Sequence, residues 1–413
     1  MQTRRIAIVL LFLASLATAS WAQDEPKQQE PDFLRPSGGQ LGIGGEEGFG
    51  LGTAVGDPTA LYGPTRNSIV LFGTDRESLI DLQGYYIHKF GDRQRLLVEG
   101  HIDPAFTGLD VSYSLSPKDW EGVLTVNSWV STGNFAPFNI ESFEVFLPNA
   151  EQSKLQQLGA GVEYVQPFTD ELDVAFGVNY SQYAFADDLL AGNRFPVDYN
   201  FFPLTASGAG ATERFAAFRV NGLFSTLNDR DLPTEGTKIR FGAEQAVRLG
   251  SASTSFNRFS ANIAHLFPMP GFNDGDHSLL LNVQAGTILG SPPPIRAFHL
   301  GGAASVRGYD PGELASGESF LQGTAEYRHH LKSFEVFDTE VDARLEVFYD
   351  YATSLGTADS LRGMPPQLTL KPQYGYGYGT GLLLASKYGL FRIETAWNDQ
   401  GRNGFYLSVG ERF

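Results

Sequence analysis

The side chains that could carry chemistry are many acids and few groups of any other kind. Seven histidines stand at 88, 101, 265, 277, 299, 329 and 330, and there is no cysteine. That excludes a thiol nucleophile, a thiolate metal site and a disulfide framework. His329 and His330 are adjacent on a stretch that reads as a strand, so they point to opposite faces and cannot hold one ion together. His299 sits in a long connection and reads as a packing or hydrogen-bonding residue rather than a base. The chain has no Gly-x-Ser-x-Gly elbow, no His-Glu-x-x-His and no phosphate-cradling loop. GIGGEEG (42–48) and GYGYGTG (375–381) lack the dinucleotide spacing. A chance Asp/His pair in an outer loop is the one catalytic arrangement left, so the chain reads as no enzyme, with no cofactor and no metal.

The sharpest local signal is the connection 289–317, which contains Val306, Arg307, Gly308 and Tyr309 among several glycines. Glycine lets backbone approach closely, so this segment can fold back through a narrow space. A second constellation is Gly375, Gly377, Gly379 and Gly381 alternating with Tyr374, Tyr376, Tyr378 and Thr380. One face of that strand carries no side chain. Either it marks local curvature or the bare face lies under an inserted loop.

The elements that must position these residues are strands. In 341–351, charged Asp342, Arg344, Glu346 and Asp350 share one parity with Phe348, while Val341, Leu345, Val347, Tyr349 and Tyr351 share the other. Similar alternation runs through 321–327, 279–285, 239–243 and 390–397. A soluble sandwich would turn the apolar parity inward; a transmembrane barrel turns it outward to lipid. Three features favour the barrel. Its strands are long enough for a tilted crossing. Aromatics cluster near strand ends at Tyr85, Tyr86, Phe143, Phe146, Phe201, Phe202 and Tyr374–Tyr378. The chain closes on an alternating strand, 403–413, that ends in Phe413 and resembles an outer-membrane sorting signal.

The expected fold is therefore all-β: a transmembrane antiparallel β-barrel of sixteen strands, the first at 66–73. The stretch 42–56 is either a further strand or a lumen insert. Long connections fall at 132–155, 184–212, 289–317 and 352–373. Residues 1–22 read as a secretory signal, with Arg4 and Arg5, an apolar run and Ser20-Trp21-Ala22 as cleavage site; Ala17-Thr18-Ala19 is a second candidate. Residues 23–40 read as a flexible polar leader and 41–413 as the barrel. With net charge −17 the chain is no nucleic-acid binder.

FHLGGAASVRGYDPGE (298–313) resembles the inward-folding loop of the BamA/TamA superfamily, whose members fold or transport polypeptides at the outer membrane. LNDRDLPTEGTKIR (227–240) is similar to the family's strand-opening turn ahead of that loop, and GTAEYRHHL (323–331), LEVFYDYATSLG (345–356) and GYGTGLLLASKYGLFRIETAW (377–397) to the strands after it, in family order. The resemblance covers 220–413. It implies that Arg307 sits in the lumen facing Glu326 and Asp350, two acids that the alternation independently places on the polar face. Arginine can bridge two carboxylates where lysine cannot. Losing one partner of such a buried pair costs about 3–5 kcal/mol, and lumen water would roughly halve that.

The family's periplasmic polypeptide-binding domains are not read in this sequence, which looks like a barrel-only member. Gly410 in the last strand would weaken pairing with the first and form part of a lateral seam, the exit route proposed for the family; an ordinary strand glycine is the other reading. The expected function is polypeptide transport or membrane-protein assembly in a bacterial outer membrane. Lipid surrounds it, and a periplasmic or secreted protein is its client or partner subunit. The alternative is a passive channel or structural barrel.

Overall fold

The computed structural model describes residues 48–51, 69–73 and, apart from a few turn positions, 82–134, 154–185, 212–356 and 371–412. The signal segment, the leader, Phe143, Phe146, Phe201, Phe202 and Phe413 lie outside the described residues. Every element among those described is a strand. They are β1 (Gly48–Leu51), β2 (Ile69–Gly73), β3 (Leu82–Lys89), β4 (Gln94–Ile102), β5 (Phe106–Leu115), β6 (Val123–Asn134) and β7 (Lys154–Pro167). Next come β8 (Leu172–Phe185), β9 (Thr212–Ser225), β10 (Gly236–Arg248), β11 (Phe256–Met269), β12 (His277–Gly290), β13 (Phe298–Leu300) and β14 (Ala315–Gly317). The chain ends with β15 (Ser319–Val336), β16 (Thr339–Gly356), β17 (Tyr374–Ser386), β18 (Gly389–Asn398) and β19 (Asn403–Val409).

β13 and β14 pair with each other inside the β12–β15 connection; the rest form one sheet of 17 strands. Sixteen is thus corrected to seventeen. The added strand, β1, lies in the stretch with two readings and pairs Gly48 with Ile87 of β3. Its two glycines share one parity, so no side-chain alternation could reveal it. Pairing runs antiparallel from β3 to β12, crosses to β15 and continues to β19, which pairs with β2. Side chains of β8, β10, β16 and β18 all reach the 291–318 connection, so the sheet curls around an interior.

Sidedness decides the solvent. On β16, Leu345, Val347 and Tyr349 are 41%, 53% and 47% exposed, while Arg344, Glu346 and Asp350 on the other parity are buried. The same inversion holds on β11 and β12, where Ile263 and Val283 are exposed and Asn262 and Gln284 buried. A sandwich would bury the apolar face. This sheet offers it to hydrocarbon, with strand ladders satisfying the backbone. The four long connections, 135–153, 186–211, 291–318 and 357–373, all join strands at one end. The β7–β8 connection at the other end is the short turn 168–171.

Candidate functional site

The interior is layered. Nearest the long connections, Phe298, Leu300, Val306, Tyr309 and Leu314 of the 291–318 loop pack against wall residues including Phe215 and Phe320. Burying these side chains provides the drive that brings the loop inside. The loop's polar residues then meet the charged face of the wall.

Arg307 is completely buried. Its Nε and Nη2 donate to the two oxygens of Asp350 at 2.7 and 2.9 Å, a fork on one carboxylate. Its Nη1 donates to Glu394 and lies 3.6 Å from Glu326. The guanidinium rests 3.1 Å from the centroid of Phe348, a cation–π contact from the same strand as Asp350. Of the acids expected around Arg307, Asp350 is thus in direct contact and Glu326 is a longer ion pair. Glu394 was missed, although it shares the polar parity of β18 with Arg392.

The cluster extends well beyond one arginine. Arg392 Nη2 reaches Glu346 at 2.6 Å and Glu326 at 3.0 Å, and Arg328 Nε donates to Glu326 at 2.9 Å. Arg412 donates to the Ser305 carbonyl at 3.1 Å and lies 3.4 Å from Asp350. Four guanidiniums face four carboxyl groups in this layer. All eight are at most 2% exposed. The expected discount for lumen water therefore does not apply. Burial opposes the charge on Arg307, but Asp350, Glu394 and Glu326 outweigh it and push its pKa up.

Gly308 is held from both sides. Its N–H donates to the Tyr406 hydroxyl at 2.8 Å and its carbonyl accepts from Asn398 Nδ2 at 2.8 Å. With φ at +94° and the Asn398 backbone 2.9 Å from where a Cβ would stand, only glycine fits without strain. Tyr309 donates to Asp399 in the β18–β19 turn, and burial together with that bond raises its pKa. The side chain of Val306 packs in the apolar layer. Half of the bare face lies under the loop, while Gly379 and Gly381 face Phe348 and Glu346 of the wall. A Cβ at Gly375 would meet Tyr309 and Leu314, and one at Gly377 would strike the Arg307 carbonyl. Tyr374, Tyr376 and Tyr378 point outward and are exposed.

A second anchor was not foreseen. Arg296, near the start of the loop, donates to Glu244 of β10 at 2.6 Å and to the Tyr183 hydroxyl of β8 at 2.8 Å. Arg219 of β9 holds the other Glu244 oxygen at 2.8 Å. Between the anchors, half-buried His299 shares Ser316 with Lys371. Burial first, then Lys371 and Arg258, lower its pKa to about 3, so the ring is neutral.

Gly410 is a correction. β19 ends at Val409, and Gly410 follows it as a bend with φ +96°, its N–H donating to the Leu390 carbonyl at 2.8 Å. It ends the strand because a left-handed residue cannot continue a ladder. The β19–β2 ladder itself has four pairs and a register shift between Leu407 and Ser408.

An apolar outer face, a charged interior and a loop bolted across that interior define a membrane β-barrel with an internal loop. Residues 89–413 match the Omp85 superfamily domain, and the chain belongs to that superfamily. It is 29% identical over 332 residues to chloroplastic outer envelope protein 80 of Arabidopsis thaliana, covering 79% of this chain and 42% of that protein. It is 32% identical over 253 residues to the Oryza sativa subsp. japonica protein of the same name, covering 61% and 35%. The chain thus spans about two-fifths or less of these relatives. In fold it is similar to BamA from Haemophilus ducreyi lacking POTRA domains 1–3, with TM-score 0.61, 15% identity, and 82% and 68% of the two chains covered. It is also similar to CdiB from Escherichia coli, with TM-score 0.53, 13% identity, and 83% and 62% covered. The resemblance read from the loop motif holds, and the protein is an outer-membrane-type β-barrel.

Proposed function

We propose that this barrel inserts or transports polypeptides at a bacterial outer membrane. The 291–318 loop keeps its lumen closed, and its β19–β2 edge serves as the exit seam. The observation that carries the reading is the Arg307 cluster. A bidentate, fully buried arginine joining a loop to three wall strands is far more than a passive pore needs. The four-pair ladder with its register shift supports the seam, because β15 and β16 next to the loop pair over almost their whole length. The secretory pattern at 1–22 supports export from a bacterial cytoplasm. A secreted or periplasmic polypeptide is the client or partner, and Glu326, Asp350 and Glu394 serve as the loop's receptor.

The sequence has no cysteine, so a Ser408→Cys/Val70→Cys pair across the seam can be oxidised without competing thiols. In cells depleted of the native protein, the oxidised variant should fail to restore levels of other outer-membrane proteins and the reduced one should succeed. Full restoration by the oxidised form would overturn the seam. If depletion changes no outer-membrane or surface protein while the purified barrel shows a stable open conductance, the passive-channel reading replaces this one.

A further inference from the structure

We propose that the β9–β10 turn, through its described residues 226–229 and 232–235, is a floor that closes the lumen at the short-turn end, independently of the loop above. The wall at that end is apolar, unlike the charged layer above it. Leu266 and Leu280 on β11 and β12, and Leu383 and Leu390 on β17 and β18, face inward and are at most 3% exposed. Side chains lining a water-filled mouth would be wet. Something covers these, and it is the turn.

Leu227 packs on Ala264, Leu266 and Leu280, while Leu232 packs on Leu383, Ala385 and Leu390. β17 lies five strands along the sheet from β10, so a turn touching both arcs spans the mouth. The turn is built to keep that shape. Asn228 Oδ1 accepts from the backbone N–H groups of Thr234 and Glu235 at 3.0 and 3.2 Å, and its Nδ2 donates to Thr234 Oγ1 at 2.8 Å. Asp229 Oδ1 accepts from Leu232 N–H at 2.9 Å. Side-chain bonds of this kind fix a turn's backbone without tertiary help. Pro233, also in the turn, is fully covered against the wall.

The floor also accounts for the dryness of the charge layer. Arg328 lines a small void with Leu227 and Pro233 on one side and pairs with Glu326 on the other. The loop covers the layer from above, but only a second cover below brings Glu326, Arg328 and Arg392 to zero exposure. Two barriers in series mean that releasing the loop alone leaves the lumen shut.

A single cysteine in place of Asn282, which faces the lumen one step inward from Leu280, reports on the floor with the loop untouched. In the purified full-length protein, a charged membrane-impermeant maleimide should label Asn282→Cys slowly. Adding Leu232→Ser, or Leu227→Ser with Leu232→Ser, should speed labelling on the order of tenfold, as for a locally opened segment. Resistance of the barrel to SDS without heating verifies that each variant is folded. An unchanged labelling rate in folded variants overturns the floor.

The second experiment rests on the loop reading proposed above. In planar bilayers, Arg307→Ala and Leu232→Ser should each stay closed, and the combination should conduct steadily. Conductance of Arg307→Ala alone equal to that of the combination removes the floor as a barrier. Protease sensitivity of the loop in Arg307→Ala reads the lock separately: a loop that stays protected sinks the lock and leaves the labelling result standing.

Discussion

One loop is held at two places by the same kind of residue in different settings. Arg307 meets three carboxylates from three strands and a phenyl face, within a layer of four guanidiniums and four carboxyl groups. Arg296 meets one carboxylate, already shared with Arg219, and a tyrosine hydroxyl, with the Tyr183 and Phe256 rings each 5.7 Å away. A buried guanidinium must recover its lost hydration from its neighbours. The first site does so with charge and the second largely with neutral groups and rings. The first should therefore be harder to open and more damaging to break.

The largest expected effect is that of Arg307→Ala. It takes the forked partner from Asp350 and one partner each from Glu394 and Glu326, which keep Arg392 and Arg328, and should weaken loop docking by about 3–5 kcal/mol, seen as protease cleavage within 301–313. Arg307→Lys should recover little, since an ammonium cannot fork across Asp350. Next comes Arg296→Ala, which leaves Glu244 with Arg219 and should cost about 1.5–3 kcal/mol in the same assay. If it matches Arg307→Ala, the contrast between the anchors is wrong. The double variant should be additive to within about 0.5 kcal/mol, as for separate sites; a larger deviation would show one coupled anchor.

Gly308→Ala keeps every charge and forces a left-handed alanine against the Asn398 backbone, at about 1–3 kcal/mol. No loss would mean that the backbone is not clamped as the Tyr406 and Asn398 bonds indicate. The smallest effect is a pH slope. His299 has a folded pKa of about 3 against an ordinary 6.5, so a wet, undocked loop binds a proton that the docked one does not. Docking should weaken as pH falls below 6.5, by at most about 1.4 kcal/mol per unit. His299→Asn should flatten the part of the curve between about pH 6.5 and 5. An unaltered slope would assign it elsewhere.

Much of this architecture was readable in the order of residues. Alternation is local: side chains at i and i+2 share a face whatever the rest of the chain does. That is why Glu326, Glu346, Asp350 and Glu394 could be put on the wet parity, and why segments near all sixteen expected strands appear. β1 lay in the stretch 42–56 that kept two readings, because two of its four residues are glycine. Gly410 looked like part of the last strand because parity carries no information about φ. Arg307 stood out through its motif, whereas Arg296 had no comparable signal.

The residues thus determined which face each side chain takes, where chain direction reverses and which segment is small enough to thread the interior. Which inward groups meet was decided only by strand register and the curl of the sheet. Glu394, Tyr406 and Asn398 reach the loop from positions about ninety residues along the chain. Tyr183 reaches Arg296 across 113 residues, and Leu232 crosses the mouth to Leu390. The physical reason is that period-two order fixes orientation one strand at a time, while a contact across an enclosed space depends on every ladder between its two ends.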